Sequence, residues 1–283
     1  MAGWRLTSGP RRPPIVESIL MAMNENQKIE GLIIDMDGVL WRGEQSIVNL
    51  PHVFAEIDRR GLMYILATNN ATRSVEQYTE KLKNFGVEVP AQSVINSAQA
   101  TAHYLHQRYP QGGPVYMIGE SGLAQALKES DFVHSVDEPV AVVVGLDREF
   151  TYEKLRLAAA FIRQGKPFIA TNPDPTLPSP EGALPGTGAI LAALEAATDV
   201  PATIIGKPQP EMYRVALERM SLSPRETLVI GDRLKTDIAG GQALGCPTAL
   251  VLSGASSEAE ARNWSPAPDF IEDNLVSLLN RLP

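Results

Sequence analysis

The apolar positions of this chain cluster in short runs bounded by glycine, proline and polar residues. Eight of these runs read as strands buried on both faces, because such strands are apolar at consecutive positions instead of alternating ones. They are 32–34, 63–67, 115–118, 140–144, 168–170, 203–205, 228–230 and 248–252. Between them, apolar residues recur at helical spacing over 53–60, 75–85, 98–108, 152–164, 189–197, 211–220 and 238–244. Strands alternating with helices predict an α/β fold with a mostly parallel sheet. Pro210 suits a first helical turn, and Gly61 and Gly86 suit helix ends. The proline- and glycine-rich stretch 172–188 reads as a loop.

Composition narrows the function classes. With 283 residues, 44% hydrophobic and 20% charged, the chain can bury a sizeable core without staples. Its one cysteine, Cys246, excludes an internal disulfide and fits a reducing cytosol, so a cytoplasmic location is expected. Cys246 has no His or basic neighbour in sequence and reads as a buried or turn residue, not a nucleophile. A net charge of −8 argues against nucleic acid as the main partner but leaves room for a small anionic substrate. No apolar run reaches ~18 residues, so no membrane partner is expected. Residues 1–28 read as a disordered extension. Glu17 interrupts its apolar stretch, unlike a signal peptide, and Met21 or Met23 is an alternative start. Sequence leaves a homo-oligomer open.

The chemistry sits at strand ends. In Ile34-Asp35-Met36-Asp37-Gly38, an apolar strand runs into two aspartates one residue apart, which an extended chain places on one side. Gly38 then allows a sharp turn. A calcium loop is excluded: counted from Asp35, position five is Val39, six is Leu40 and twelve is Ser46. Three other strands end in polar groups: Thr68-Asn69-Asn70, Lys207-Pro208, and Asp232 with Asp237 five residues on. Parallel sheets bind ligands beyond the carboxyl ends of their strands, so these groups converge if the strands are neighbours. Gly186-Thr187-Gly188 is not a dinucleotide fingerprint, because Leu191 stands where the third glycine belongs.

These four motifs resemble those of the haloacid dehalogenase (HAD) superfamily of phosphatases. The branch most similar is the NagD-like, or 4-nitrophenylphosphatase-like, subclass IIA with an inserted C2a cap. Supporting stretches include Asp37-Gly38-Val39-Leu40-Trp41-Arg42-Gly43, Thr171-Asn172-Pro173-Asp174 and Gly231-Asp232-Arg233 through Ile238, and the resemblance spans roughly 32–254. It implies a Rossmannoid parallel core with an inserted α/β cap. More than a hundred residues between Thr68 and Lys207 also make a structureless loop implausible. The expected division is 29–86 for the first core segment, 87–200 for the cap and 201–283 for the second core segment.

The resemblance implies Mg²⁺ held by the side chains of Asp35 and Asp232 and the main-chain carbonyl of Asp37, which suits a hard cation near crowded carboxylates. Asp35 is the implied nucleophile, forming an aspartyl phosphate, and Asp37 the acid and then the base. Thr68, the Asn69 amide and Lys207 are expected to hold the phosphoryl oxygens, with Asn70 beside them. Asp237 is expected to orient Lys207 or a metal-bound water, or to serve as a helix N-terminal charge. In the cap, Asn172 and Asp174 on the loop 171–181 are the expected readers of the substrate, a small phosphorylated metabolite. Asp147 and Arg148 read as a site element or as a mutual ion pair. A phosphotransferase using the same aspartyl phosphate, and a binding protein on the same fold, remain alternatives; the latter predicts a lost motif residue, and none is lost.

Overall fold

The computed structural model describes residues 28–179 and 182–282. The expected extension over 1–28, apart from Lys28, and Pro180 and Glu181 of the cap loop lie outside them. Fifteen strands are present among the described residues: β1 Gly31–Ile34, β2 Trp41–Arg42, β3 Gln45–Ser46, β4 Met63–Thr68, β5 Val94–Asn96, β6 Gly113–Ile118, β7 Phe132–His134, β8 Val142–Val144, β9 Phe168–Ala170, β10 Thr176–Ser179, β11 Gly182–Pro185, β12 Thr203–Ile204, β13 Thr227–Gly231, β14 Thr248–Val251 and β15 Phe270–Glu272. All eight expected strands form.

The strands build two parallel sheets. The first has the order β15-β14-β13-β1-β4-β5, the second β12-β9-β8-β6-β7. In the first sheet, alternate residues face opposite layers, as the period of two requires. Ile33, Ile65 and Val229 join one cluster with Ala98, Leu105, Met212 and Ala216. Leu32, Ile34, Leu66, Leu228 and Ile230 join the other with Val53, Ile57, Leu275 and Leu278. Burying each such aliphatic side chain is worth about 1.5–3 kcal/mol, so the central strands anchor both layers. Helix starts are set locally: Asn49, Ser74, Asn96 and Thr151 each accept a first-turn backbone N–H.

Two expected boundaries move. Val94 and Ile95 are fully buried beside β4, so β5 belongs to the first sheet although it lies after residue 87. At the other end, β12 pairs with β9 in the second sheet although it lies after residue 200. The insertion by sheet membership therefore starts after 96 and ends after 204. The expected loop 172–188 contains the antiparallel hairpin β10–β11. Its prolines, Pro178 and Pro185, are tolerated because an isolated two-stranded hairpin has outer edges that need no N–H donor. Among the described residues no helix is long and apolar enough to cross a membrane.

Candidate active site

Strands β13, β1 and β4 lie side by side, with Ile34 in register with both Ile230 and Leu66. Their carboxyl ends therefore present Asp232, Asp35 and Thr68 next to one another. Asp35 continues the ladder, donating its N–H to the Ile230 carbonyl at 2.9 Å. The chain then turns at Gly38, whose φ of 89° lies in the left-handed region, and its N–H returns to the Trp41 carbonyl at 2.8 Å.

Lys207 arrives from elsewhere. It follows β12, so it enters from the edge of the second sheet and not from a core strand. The backbone N–H groups of Ile205 and Gly206 still bond to Ala170 and Thr171 at 3.0 and 2.8 Å. The Asn69 side chain receives the incoming segment on both sides: Oδ1 accepts the Lys207 N–H at 2.7 Å and Nδ2 donates to the Lys207 carbonyl at 2.9 Å. This positioning role of Asn69 was not legible in sequence, because Lys207 lies 138 residues away.

Once placed, Lys207 Nζ spends its three protons on Asp35 Oδ1 at 2.5 Å, Asp237 Oδ1 at 2.7 Å and the Ala67 carbonyl at 3.1 Å. Burial disfavours the ammonium, but the carboxylates of Asp237 and Asp35 outweigh it and hold the pKa well above that of an ordinary lysine. Asp237 is itself only 1% exposed, and its Oδ2 accepts the Arg233 N–H at 3.1 Å. Both of its oxygens are thus committed to protein donors, which makes it a Lys207 partner and ties it back to the start of its own turn.

Asp232 is different. Its Oδ2 accepts the Ala255 N–H at 2.7 Å, whereas Oδ1 is buried without any hydrogen-bond partner. A carboxylate oxygen left this way costs roughly 1–3 kcal/mol or more unless a ligand meets it. Burial, with Asp237 nearby, pushes the Asp232 pKa up to about 6. Burial likewise raises Asp35 well above the usual carboxylate range, against the pull of Lys207. Side-chain oxygens of Asp35, Asp232 and Asp237 lie within 4.8 Å of one another. Three carboxylates against one ammonium leave a formal charge of −2, which a divalent cation offsets. Glycines make room for the Asp232 side chain: a Cβ at Gly38 or Gly254 would collide with its Oδ2. Oxygen-only donors fit Mg²⁺ and not zinc.

The remaining expected residues separate into two groups. Thr68, buried at the end of β4, accepts the Asn70 N–H through Oγ1 at 3.2 Å. Asn70 turns its own Oδ1 onto the N–H and hydroxyl of Thr72, at 3.0 and 2.7 Å, and so fastens its loop. From the second sheet, Asn172 Nδ2 donates to the Asn69 carbonyl at 2.9 Å and Asn172 Oδ1 accepts the Asp174 N–H at 3.1 Å. Asp174 Oδ2 accepts Asn69 Nδ2 at 3.3 Å. The two cap residues are therefore brought to the Lys207 clamp. Asp37 stays exposed, outside the carboxylate cluster, with Oδ1 accepting the Trp41 indole N–H at 2.9 Å. Asp147 and Arg148 are not a mutual ion pair: Asp147 meets Lys154 at 2.7 Å and Arg148 meets Glu120 at 2.8 Å. Sequence reasoning missed Ser253 and Ala255, which follow β14 and fasten Gly38 and Asp232, and Gly254 between them, which lies too close to Asp232 for a side chain. They sit at a fifth strand end, so the same strand-end rule applied once more would have found them.

With the geometry in place, comparison with known proteins adds the lineage. Residues 32–133 match the family described as haloacid dehalogenase-like hydrolase, and residues 204–278 match the related HAD hydrolase-like family. An acid sugar phosphatase of Staphylococcus aureus is 38% identical over 86% of this chain and 94% of its own length. NagD of E. coli K-12 superposes with a TM-score of 0.82 at 32% identity, covering 88% of this chain and 97% of that one. A glycerol phosphate phosphatase of Mycobacterium tuberculosis, solved in complex with magnesium, gives 0.83 at 34% identity, covering 90% and 79%. The two sheets, the strand-end carboxylates and these matches agree: the chain belongs to the haloacid dehalogenase-like hydrolases, among the NagD-like phosphatases.

Proposed function

We propose that the protein hydrolyses small phosphomonoesters with Mg²⁺, through a phosphoryl group carried on Asp35. The observation that carries this reading is the pairing of Lys207 with Asp35 beside the orphaned oxygen of Asp232. Asp35 attacks phosphorus, forming a carboxyl–phosphorus link as the ester P–O bond breaks. Asp37 gives a proton to the departing oxygen, then takes one from the water that hydrolyses the acyl phosphate. The Thr68 hydroxyl and the Asn69 backbone N–H meet the phosphoryl oxygens, and the Lys207 ammonium, held against Asp35, offsets the charge that spreads over them in the transition state. Asp237 keeps Lys207 aimed at Asp35. Asp35, Asp232 Oδ1 and the main-chain carbonyl of Asp37 would hold Mg²⁺, which supplies further charge stabilisation for those oxygens.

The second sheet supports a cap role, because Asn172 and Asp174 reach the Asn69–Lys207 clamp from it. The names of the relatives direct the first trials to sugar phosphates and glycerol phosphate. Burial raises the Cys246 thiol to about 11, an inert state compatible with a cytoplasmic enzyme. The test is phosphate release from a panel of phosphomonoesters with Mg²⁺ and no acceptor alcohol. Turnover under these conditions supports a hydrolase. Turnover that requires an added alcohol would show a phosphotransferase instead.

A further inference from the structure

The exposed Asp37 owes its orientation to a side chain that is not exposed at all. Trp41 has 0% relative accessibility, and its indole N–H is directed onto Asp37 Oδ1 at 2.9 Å. The ring cannot swing away. Phe85 stacks on it with centroids 5.9 Å apart and planes 22° apart. Lys81 Nζ lies over the ring, 4.6 Å from its centroid. Lys81 and Phe85 are four residues apart at the end of the helix Val75–Asn84, so one helical face grips the indole. Lys81 also donates to the Gly43 carbonyl at 2.6 Å, which fastens the turn between β2 and β3. The backbone closes the unit, with Gly38 N–H bonded to the Trp41 carbonyl at 2.8 Å.

We infer that Trp41 is a positioning residue for proton transfer, and that Lys81 and Phe85 hold it in place. This rests on the reading of Asp37 as proton donor. An indole N–H can only donate, so it occupies a lone pair of Asp37 Oδ1 and disfavours a proton on that oxygen. The transferable proton is left on Oδ2. When the ester P–O bond breaks and Asp35 gains the phosphoryl group, the Oδ2 proton passes to the leaving oxygen. The carboxylate that remains keeps its indole donor. A clamped donor thus selects both the rotamer and the oxygen, where an exposed aspartate in water would sample several.

The assignment makes a demand that a merely structural Trp41 would not. Proton donation matters most for poor leaving groups and little for 4-nitrophenolate. The test compares kcat/KM for glycerol phosphate and 4-nitrophenyl phosphate in wild type, Trp41→Phe, Lys81→Met and Asp37→Asn, all with Mg²⁺. Trp41→Phe keeps the ring and removes the N–H. It is expected to lower the glycerol phosphate value about tenfold or more, the size of one hydrogen bond to a charged group, and to change the aryl value by less than about threefold. Lys81→Met is expected to give the same split at about threefold or more, since the buried Lys81 acts on Asp37 only through the Trp41 ring. Asp37→Asn is the control and is expected to show the largest split. If Asp37→Asn changes both esters by one factor, the donor role of Asp37 fails. If Asp37→Asn splits them and Trp41→Phe does not, the positioning role of Trp41 is overturned. If Trp41→Phe does not fold, Lys81→Met decides by the same criterion, an equal change on both esters contradicting the assignment.

Discussion

The two ends of the site are built in opposite ways. Where the proposed function seats the phosphoryl group, Lys207, Asp232 and Asp237 are 3%, 3% and 1% exposed, and nearly every polar atom has a protein partner. Where the proposed function seats the leaving group, Asp37 is exposed with one indole donor, and Asn172 and Asp174 reach Asn69 from the loop that follows β9. The phosphoryl group is the same in every phosphomonoester, so a rigid, desolvated cradle can be complementary to it once and for all. Leaving groups differ, and an open wall leaves their recognition to elements that can vary without touching the chemistry.

That contrast breaks first at the closed end. EDTA should abolish phosphate release, and added Mg²⁺ should restore it. Asp232→Ala should then need at least about tenfold more Mg²⁺ for half-maximal rate, because the orphaned oxygen is gone. Full turnover in rigorously metal-free buffer would remove the cation from the account. Next in size, Asp237→Ala leaves Lys207 with one carboxylate and the Arg233 N–H without its acceptor. Removing one partner of a buried pair costs about 3–5 kcal/mol, to be read as a lower denaturant midpoint. Phosphate release should fall about a hundredfold on every ester alike, since the proposed role of Lys207 concerns only the group that all esters share.

The closed end is largely legible in the sequence, and the reason is geometric. Asp35, Thr68 and Asp232 each follow an apolar run, and neighbouring parallel strands bring their ends together without further information. Lys207 is legible as a residue but not in its route. Thr203-Ile204 is too short to show which sheet it joins, and its partner β9 lies more than thirty residues earlier. The same shortness hides β5, where Val94-Ile95 alone carries the apolar signal. The open end is less legible because proline and glycine at 172–188 signal a loop, whereas hairpin pairing depends on contacts that no local pattern records. Trp41 follows the aspartate motif as one more apolar residue, and its clamp from Lys81 and Phe85 is a tertiary contact with no trace in local spacing.

A third test uses the pH response of the closed end. Asp232 in the metal-free protein has its pKa raised to about 6, so it is ionised above that pH and protonated below it. Mg²⁺ requires the carboxylates of Asp232 and Asp35, both raised by burial, so affinity should fall on acidification through about pH 6, by about tenfold or more per unit. Calorimetric titration of Mg²⁺ at several pH values reads this directly. Affinity that rises on acidification would contradict the assignment of Asp232.

The smallest effects should appear at the open end, and they separate its two cap residues. Asn172 spends both amide groups on Asn69 and Asp174, so Asn172→Ala is expected to scale kcat/KM for all esters by a common factor. Among the described residues, the Asp174 carboxylate bonds to Asn69 through Oδ2 alone. Asp174→Ala is expected to change the ratio between two esters by roughly tenfold or less, the size of one polar contact. A common factor for Asp174→Ala would place specificity elsewhere in the cap.

The central claim, that Asp35 carries the phosphoryl group, is tested most directly by phosphate release from Asp35→Asn. The carboxamide is nearly isosteric and keeps an oxygen for Lys207, but it cannot form the acyl phosphate. With the substitution verified by mass spectrometry and the fold checked by circular dichroism, multiple turnover is expected to vanish on both alkyl and aryl esters. Sustained phosphate release by that variant, on either ester, would contradict the account.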